Sequence, residues 1–295
     1  MGQLEQNPIA ESAAALLADA GNKPCYGVVG NPIGHSLSPA LHTAFAQQFE
    51  NQISYGRLLL APEKFEQQIS AFFEQGGCGL NVTVPFKGNA HTMCDQLTPD
   101  AALAGAVNTL WQADGQLWGD NTDGRGLVQD LLGRCGLNLA DAKVLILGAG
   151  GAVQGVIAPL FKAGVAQITL ANRTRAKADA LVAQFAENGH IQAIDAGAAG
   201  DVSGYDLVIQ GTGAGLTQSL PALNSAWFTE KTVCYDMMYA DEPTPFIATV
   251  RAQFGVQSAW DGLGMLLEQA ALAFARWRDQ QPNTAPVMQM LRPDA

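Results

Sequence analysis

Lys87 and Asp123 are the residues of this chain best set, by type and surroundings, to do proton chemistry. Lys87 closes Asn81-Val82-Thr83-Val84-Pro85-Phe86-Lys87, an alternating strand pattern stopped by a proline. Asp123 lies in Gly119-Asp120-Asn121-Thr122-Asp123-Gly124, a turn-rich segment ahead of a helical run. A third signal, Gly148-Ala149-Gly150-Gly151-Ala152 after the strand Val144–Leu147, reads as a nucleotide-phosphate loop. An ammonium, a carboxylate and a dinucleotide site together are what proton-coupled hydride transfer needs. Each also has a plainer reading: a solvated surface lysine, a helix cap and a tight turn.

In the glycine loop, Gly148-x-Gly150 lets the backbone turn sharply beside a pyrophosphate, and the following helix offers N–H donors and its positive dipole end. Val153 stands where a third glycine is usual, so this is a variant of the fingerprint. The next strand, Gln167–Ala171, runs into Asn172-Arg173-Thr174-Arg175-Ala176-Lys177 with no carboxylate. An NAD site usually places an acidic group there for the ribose hydroxyls. A guanidinium and a hydroxyl instead suit a 2′-phosphate, which points to NADP.

Ser36 and Ser38 end the loop Gly30-Asn31-Pro32-Ile33-Gly34-His35-Ser36-Leu37-Ser38-Pro39. Two hydroxyls two residues apart can point the same way in extended chain and meet a carboxylate. Alternatively, Ser38 caps the helix that Pro39 opens. His35 and His42 read as structural. Asn108 is an amide in the apolar run Ala106–Leu110, either a core hydrogen-bond hub or a ligand group. Gln269 interrupts a helix, Leu263–Arg278, that is apolar on nearly every side. A buried amide without partners costs about 1–3 kcal/mol, so Gln269 needs one.

The elements that must position these residues alternate. Cys25–Gly30, Ile53–Leu60 and Gly79–Val84 read as strands, with helices from about Pro39 to Glu50 and from Pro62 between them. That order implies parallel pairing in a layered α/β domain. A second series starts near Lys143, with strands Val144–Leu147, Gln167–Ala171, Leu207–Gln210 and Val233–Asp236 and a helix at Ala152–Ala163. The helix at 124–135 reads as the connection between domains. Ser12–Ala20 reads as a helix on an otherwise loose N-terminal arm, residues 1–21.

The 295 residues suggest roughly two domains. A formal charge of 16 − 27 = −11 disfavours nucleic acid and anionic membranes as partners. Five scattered cysteines without a Cys-x-x-Cys pair indicate neither a disulfide framework nor zinc, and four histidines form no ligand cluster. No metal is expected. A reducing, cytoplasmic setting follows, and no run approaches the ~18 apolar residues that span a bilayer. Monomer and homodimer both stay open.

Together these segments resemble shikimate dehydrogenases over nearly the whole chain after the arm. The blocks are Gly30–Pro39, Asn81–Lys87, Gly105-Ala106-Val107-Asn108-Thr109, Gly119–Gly124, Gly148–Ala152, Asn172-Arg173-Thr174, Tyr235-Asp236-Met237 with Tyr239, and Asp261-Gly262-Leu263-Gly264-Met265-Leu266 with Gln269-Ala270-Ala271. The resemblance implies reversible, NADPH-dependent reduction of 3-dehydroshikimate to shikimate, the fourth step of the chorismate route to aromatic amino acids. It implies an N-terminal α/β substrate-binding domain (22–123) and a Rossmann-like NADP-binding domain (124–260). The C-terminal helices (261–295) would return to the first domain.

Carried over residue by residue, the resemblance gives Ser36, Ser38 and Tyr239 the substrate carboxylate. Thr83, Asn108 and Gln269 take ring hydroxyls, and Lys87 and Asp123 flank the reacting oxygen. Gly148, Ala149, Gly150, Gly151 and Ala152 hold the pyrophosphate. Asn172, Arg173, Thr174 and Lys177 hold the adenosine phosphate, and Met237 and Gly262 lie near the nicotinamide. The chain departs from the family at Gln210-Gly211-Thr212-Gly213-Ala214-Gly215, where Asn-Ala-Thr-Ser-Ser-Gly is usual, and at Lys177, where many relatives have arginine. The nearest rival is a quinate/shikimate dehydrogenase of broader range. A non-catalytic nucleotide sensor on the same fold is the rival of another class.

Overall fold

The structure, a computed structural model, describes residues 9–50, 52–198, 204–212 and 220–293. Residues 1–8 of the arm and Gly213–Gly215 of the departing loop lie outside the described residues. The chain divides into two compact units, the first comprising Met1–Thr122 and Leu267–Ala295, the second Asp123–Leu266.

The first unit is built on a seven-stranded sheet. Its strands are β1 (Ile9–Ala10), β2 (Cys25–Gly30), β3 (Ser54–Leu59), β4 (Gly79–Val82), β5 (Gln96–Leu97), β6 (Thr109–Ala113) and β7 (Gln116–Asp120), in the order β1-β3-β2-β4-β6-β7-β5. β1, β3, β2 and β4 run parallel, as the alternation of strands and helices implies. The sheet is nevertheless mixed, because β6 pairs antiparallel with both β4 and β7. Asp114 and Gly115 turn that hairpin, both in the left-handed region with φ 53° and 73°; an Asp-Gly pair suits the two-residue turn that matches strand twist.

The arm is not loose where it is described. Ile9 and Ala10 add a parallel edge strand to β3, and helix α1 (Ala13–Ala20) is capped by Ser12, whose side chain accepts from the Ala15 N–H at 3.2 Å. Ala13, Leu16 and Ala20 are buried in the same core as Phe65, Ile69 and Phe72. Gly27 of β2 and Gly56 of β3 leave the room that Leu16 fills, since a Cβ at either would meet its side chain.

The first unit also contains α2 (Ser38–Gln47), α3 (Phe65–Glu74), α4 (Lys87–Met93) and α5 (Pro99–Ala104). α4 begins at Lys87, directly after the strand-stopping Pro85-Phe86.

The second unit opens with α6 (Asp123–Leu132). It carries six parallel strands, β8 (Lys143–Leu147), β9 (Gln167–Asn172), β10 (His190–Asp195), β11 (Leu207–Gln210), β12 (Val233–Asp236) and β13 (Ala259–Asp261). Their order is β10-β9-β8-β11-β12-β13, the doubly wound arrangement in which ligands bind where the order reverses, here between β8 and β11. α7 (Gly151–Lys162) and α8 (Arg175–Phe185) follow β8 and β9. β11 and β12 are buried along their whole length, as central strands covered on both faces must be.

Candidate active site

Strand direction decides which residues of the first unit meet. β2 and β4 are parallel, so the loop after Gly30 and the segment after Val82 leave the same edge. β6 is antiparallel to β4, so Asn108, just before β6, starts at that edge. β7 reverses again, returning Asp120 and the run to Thr122 to it. Ser36, Ser38, Thr83, Lys87 and Asn108, scattered in sequence, are thereby gathered at one sheet edge.

The serine loop and the Thr83 segment are laced together. The Asn31 N–H donates to the Val84 carbonyl at 3.0 Å, and the Thr83 N–H to the Val29 carbonyl at 2.9 Å. Ser36 Oγ donates to Ser38 Oγ at 3.2 Å and accepts from the Ser38 N–H at 3.3 Å. Ser38 is the first residue of α2 and does not cap it; Leu37 holds the cap position without a side-chain bond. The two hydroxyls thus face each other instead of serving the helix. His35 is exposed.

Behind this edge runs a neutral network. Tyr55 donates through its hydroxyl to Asn81 Oδ1 at 2.7 Å, and Asn81 Nδ2 donates to the Asn108 carbonyl at 3.1 Å. Asn108 Nδ2 donates to Thr122 Oγ1 at 2.9 Å and to Gln269 Oε1 at 3.3 Å, while the Thr122 N–H donates to Asn108 Oδ1 at 2.9 Å. Gln269, 9% exposed, therefore finds in Asn108 and Thr122 the partners its burial requires. His42, fully buried, stacks on Tyr55 with centroids 4.3 Å apart. Among the described residues no group makes a well-formed hydrogen bond to either ring nitrogen. Burial pushes its pKa down to about 3, against a smaller opposing pull from Asn81. The structural reading of His42 stands.

Lys87 is half-buried at the start of α4, and its carbonyl accepts from the Val107 N–H at 2.9 Å. Asp123, 9% exposed, is the first residue of α6 and follows Thr122 directly. α6 lies tightly on α7, since a Cβ on Gly124 would collide with the Gly155 carbonyl and Pro159.

In the second unit Gly148 turns with φ +116°, a conformation that favours glycine, and a Cβ there would press on Gly211 at 3.2 Å. Gly148 and Gly211 thus meet where the strand order reverses. Gly150 occupies the cap position of α7 without any side-chain cap, and a Cβ at Gly150 or Gly151 would meet nothing within 4 Å. A helix N-terminus without a side-chain cap, with open space beside its first glycines, is what a pyrophosphate fits. Ala149 is half-buried and Ala152 exposed.

Beyond β9, Arg173, Thr174 and Lys177 are exposed, and Asn172 Nδ2 ties the turn by donating to the Thr174 carbonyl at 2.9 Å. Arg175 is engaged elsewhere, donating to Asp179 at 2.8 Å and lying 4.0 Å from Asp195. Asp195 is the carboxylate that the linear sequence hides, because parallel pairing sets it beside Asn172. The basic residues after β9 suit a phosphate, and the whole loop fits a phosphorylated dinucleotide.

The segment after β12 is held by Asp236, which accepts from Thr244 Oγ1 at 2.6 Å and from the Met238 N–H at 3.0 Å. Burial raises the pKa of Asp236. The Met237 N–H donates to the Gln210 carbonyl at 2.9 Å, the Gly262 N–H to the Met238 carbonyl at 3.0 Å, and Met237 Sδ lies beside Gly211. Tyr239 is half-buried, its pKa raised by burial and then by Asp261. Met237 and Gly262 are therefore neighbours on the glycine-loop side of this unit.

Tyr55, Asn81 and Thr122 were not legible as site residues. The one signal of Asn81 is an amide in β4, which is buried throughout; Tyr55 in β3 and Thr122 after β7 carry none. Among the described residues no cluster of His, Cys, Asp or Glu could hold a metal.

Three family models match in order along the chain. They are the shikimate dehydrogenase substrate binding domain at residues 28–110, shikimate / quinate 5-dehydrogenase at 128–228, and the shikimate 5′-dehydrogenase C-terminal domain at 262–292. The chain is 48% identical over 269 residues to shikimate dehydrogenase (NADP(+)) of Alkalilimnicola ehrlichii, covering 91% of this chain and 98% of that protein. The Ael1 enzyme from Pseudomonas putida superposes with a TM-score of 0.84 at 38% identity, covering 90% of this chain and 97% of its own. The shikimate 5-dehydrogenase of Thermus thermophilus, solved with NADP(H) and shikimate, superposes with a TM-score of 0.80 at 30% identity, covering 91% and 98%. The chain belongs to the shikimate dehydrogenase family.

Proposed function

We propose that the chain reduces 3-dehydroshikimate reversibly to shikimate with NADPH, in the route to aromatic amino acids, and that Lys87 and Asp123 handle the proton. Bound NADPH supplies the hydride for the carbonyl carbon. Ser36 and Ser38, with Tyr239, hold the substrate carboxylate, while Thr83, Asn108 and Gln269 fix the ring hydroxyls. The Lys87 ammonium stabilises negative charge developing on the carbonyl oxygen. Asp123 orients Lys87, and the two act as a coupled pair in giving that oxygen its proton. Gly148–Ala152 receive the pyrophosphate on uncapped N–H groups, Asn172, Arg173, Thr174 and Lys177 hold the adenosine phosphate, and Met237 and Gly262 flank the nicotinamide.

The observation that carries this reading is one bonded run at the sheet edge. The Lys87 carbonyl is tied to Val107, and the adjacent Asn108 is tied to Thr122, the residue before Asp123. These hydrogen bonds tie the Lys87 backbone and Thr122, the residue before Asp123, to one strand start.

A cytoplasmic setting suits the five unbridged cysteines. No helix among the described residues is long and apolar enough to cross a membrane. Monomer or homodimer is read by sedimentation velocity.

The test is absorbance at the nicotinamide band with shikimate and quinate, each offered NADP and NAD. The shikimate–NADP combination is expected to be fastest. Comparable rates with quinate would favour the broader enzyme that the name of the family model spanning 128–228 allows. Binding without any absorbance change would favour the sensor.

A further inference from the structure

The neutral clamp has a charged backing. Arg57 sits on β3 and is 9% exposed. Its Nε and Nη2 both donate to the Ser36 carbonyl, at 3.2 Å and 2.8 Å. The rest of Ser36 is also held: its N–H donates to the Ile33 carbonyl at 3.1 Å, and its Oγ accepts from the Ser38 N–H at 3.3 Å. Those two bonds are local to the loop, whereas Arg57 reaches it from a strand 21 residues away in sequence. Arg57 itself is flanked on the sheet by Val28 of β2 and Ile9 of β1. A Cβ on Gly34 would touch Ile9 Cδ1 at 3.4 Å, so the N-terminal strand borders both the arginine and the loop it holds.

We propose that Arg57 is a positioning residue for the substrate carboxylate, fixing the Ser36–Ser38 hydroxyl pair through the Ser36 carbonyl. This rests on the reading of Ser36 and Ser38 as the carboxylate clamp. Two parallel donors on one carbonyl oxygen make a charge-assisted contact that a single ammonium cannot reproduce. The contact keeps the peptide of Ser36 from rotating, and with it the direction of the hydroxyl. It also sets a positive charge one peptide behind a clamp whose own groups are neutral, which favours an anionic ligand over a neutral one of the same shape.

The experiment measures the KM for shikimate, kcat, the NADP dissociation constant and Tm for Arg57→Met, Arg57→Lys, Ser36→Ala and the double variant Ser36→Ala/Arg57→Met. Arg57→Met is expected to raise the shikimate KM about tenfold, the scale of one lost hydrogen bond to a charged group. Its kcat and NADP affinity should stay within about twofold. Arg57→Lys, which keeps the charge, should raise KM by about threefold or more, because the fork is lost. In the Ser36→Ala background the effect of Arg57→Met should shrink to about twofold or less, the coupling expected when one residue acts through the other.

A lower Tm with unchanged shikimate KM in both Arg57 variants would overturn the proposal, reducing Arg57 to a packing role. So would an undiminished KM effect in the Ser36→Ala background. If Ser36→Ala alone leaves the shikimate KM unchanged, the clamp reading itself fails, and that outcome is distinct from a failure confined to Arg57.

Discussion

Each unit contains a buried tyrosine whose hydroxyl donates to a side-chain oxygen at 2.7 Å, Tyr55 to Asn81 in the first and Tyr235 to Asp130 in the second. Burial pushes both phenols well above their ordinary pKa. From there they diverge. Asn81 passes the connection to Asn108, and so to Thr122 and Gln269, through neutral groups. Asp130 instead closes on Arg134 through two bonds of 2.7 Å, and the Tyr235 hydroxyl accepts from the Met265 N–H at 3.1 Å.

A neutral network can exchange partners with a ligand's hydroxyls without unbalancing charge. A closed ion pair has nothing to exchange and serves as frame. In the proposed function the same contrast separates the two binding tasks: the first unit offers side chains from distant elements, the second the backbone of one loop and the basic residues that follow β9.

The largest effect should come from Lys87→Met. A positioned proton-transfer and charge-stabilising group is worth about 10²–10⁴ in rate, so kcat should fall by that order in steady-state assays, with Tm close to wild type because Lys87 is half-buried.

Asp130→Asn tests the frame. Breaking a buried ion pair costs about 3–5 kcal/mol, so denaturant unfolding should show a large loss of stability while the shikimate and NADP KM values of the folded protein barely move. A KM shift there would erase the distinction between the two tyrosines.

Gln269→Leu tests the neutral network. It leaves Asn108 and Thr122 short of an acceptor, at about 1–3 kcal/mol, and should raise the shikimate KM by about tenfold or more without changing NADP affinity.

The effect confined to acid is a pH slope. His42 refuses a proton until about pH 3 when folded, whereas an unfolded histidine accepts one near pH 6.5. Its folded pKa is depressed, so its contribution to stability is full above about pH 6.5 and declines as pH falls toward 3, by about 1.4 kcal/mol per pH unit at most. Unfolding curves of His42→Phe should lose that part of the slope.

The same contrast explains what the sequence disclosed. Recognition by backbone must be contiguous, so Gly148–Ala152 stands out unaided, and β11, β12 and the helix Leu263–Arg278 have the bounds their patterns suggest. Recognition by side chains is assembled by topology. Asn108 meets Gln269 across 161 residues, and Arg57 meets the serine loop only because β3 lies beside β2. No spacing rule announces such partners. Asp114-Gly115 is the sequence signal of the β6–β7 hairpin. The helix at Ser12–Ala20 is legible, whereas the two-residue strand Ile9–Ala10 that ties the arm to β3 is too short to show a period.

The pairing of Lys87 with Asp123 is tested most directly by kcat at saturating shikimate and NADP for Lys87→Met, Asp123→Asn and the double variant. If the two act as one unit, the double variant should be no slower than the worse single by more than about threefold. Losses that multiply, or a Lys87→Met enzyme turning over near the wild-type rate, would contradict it.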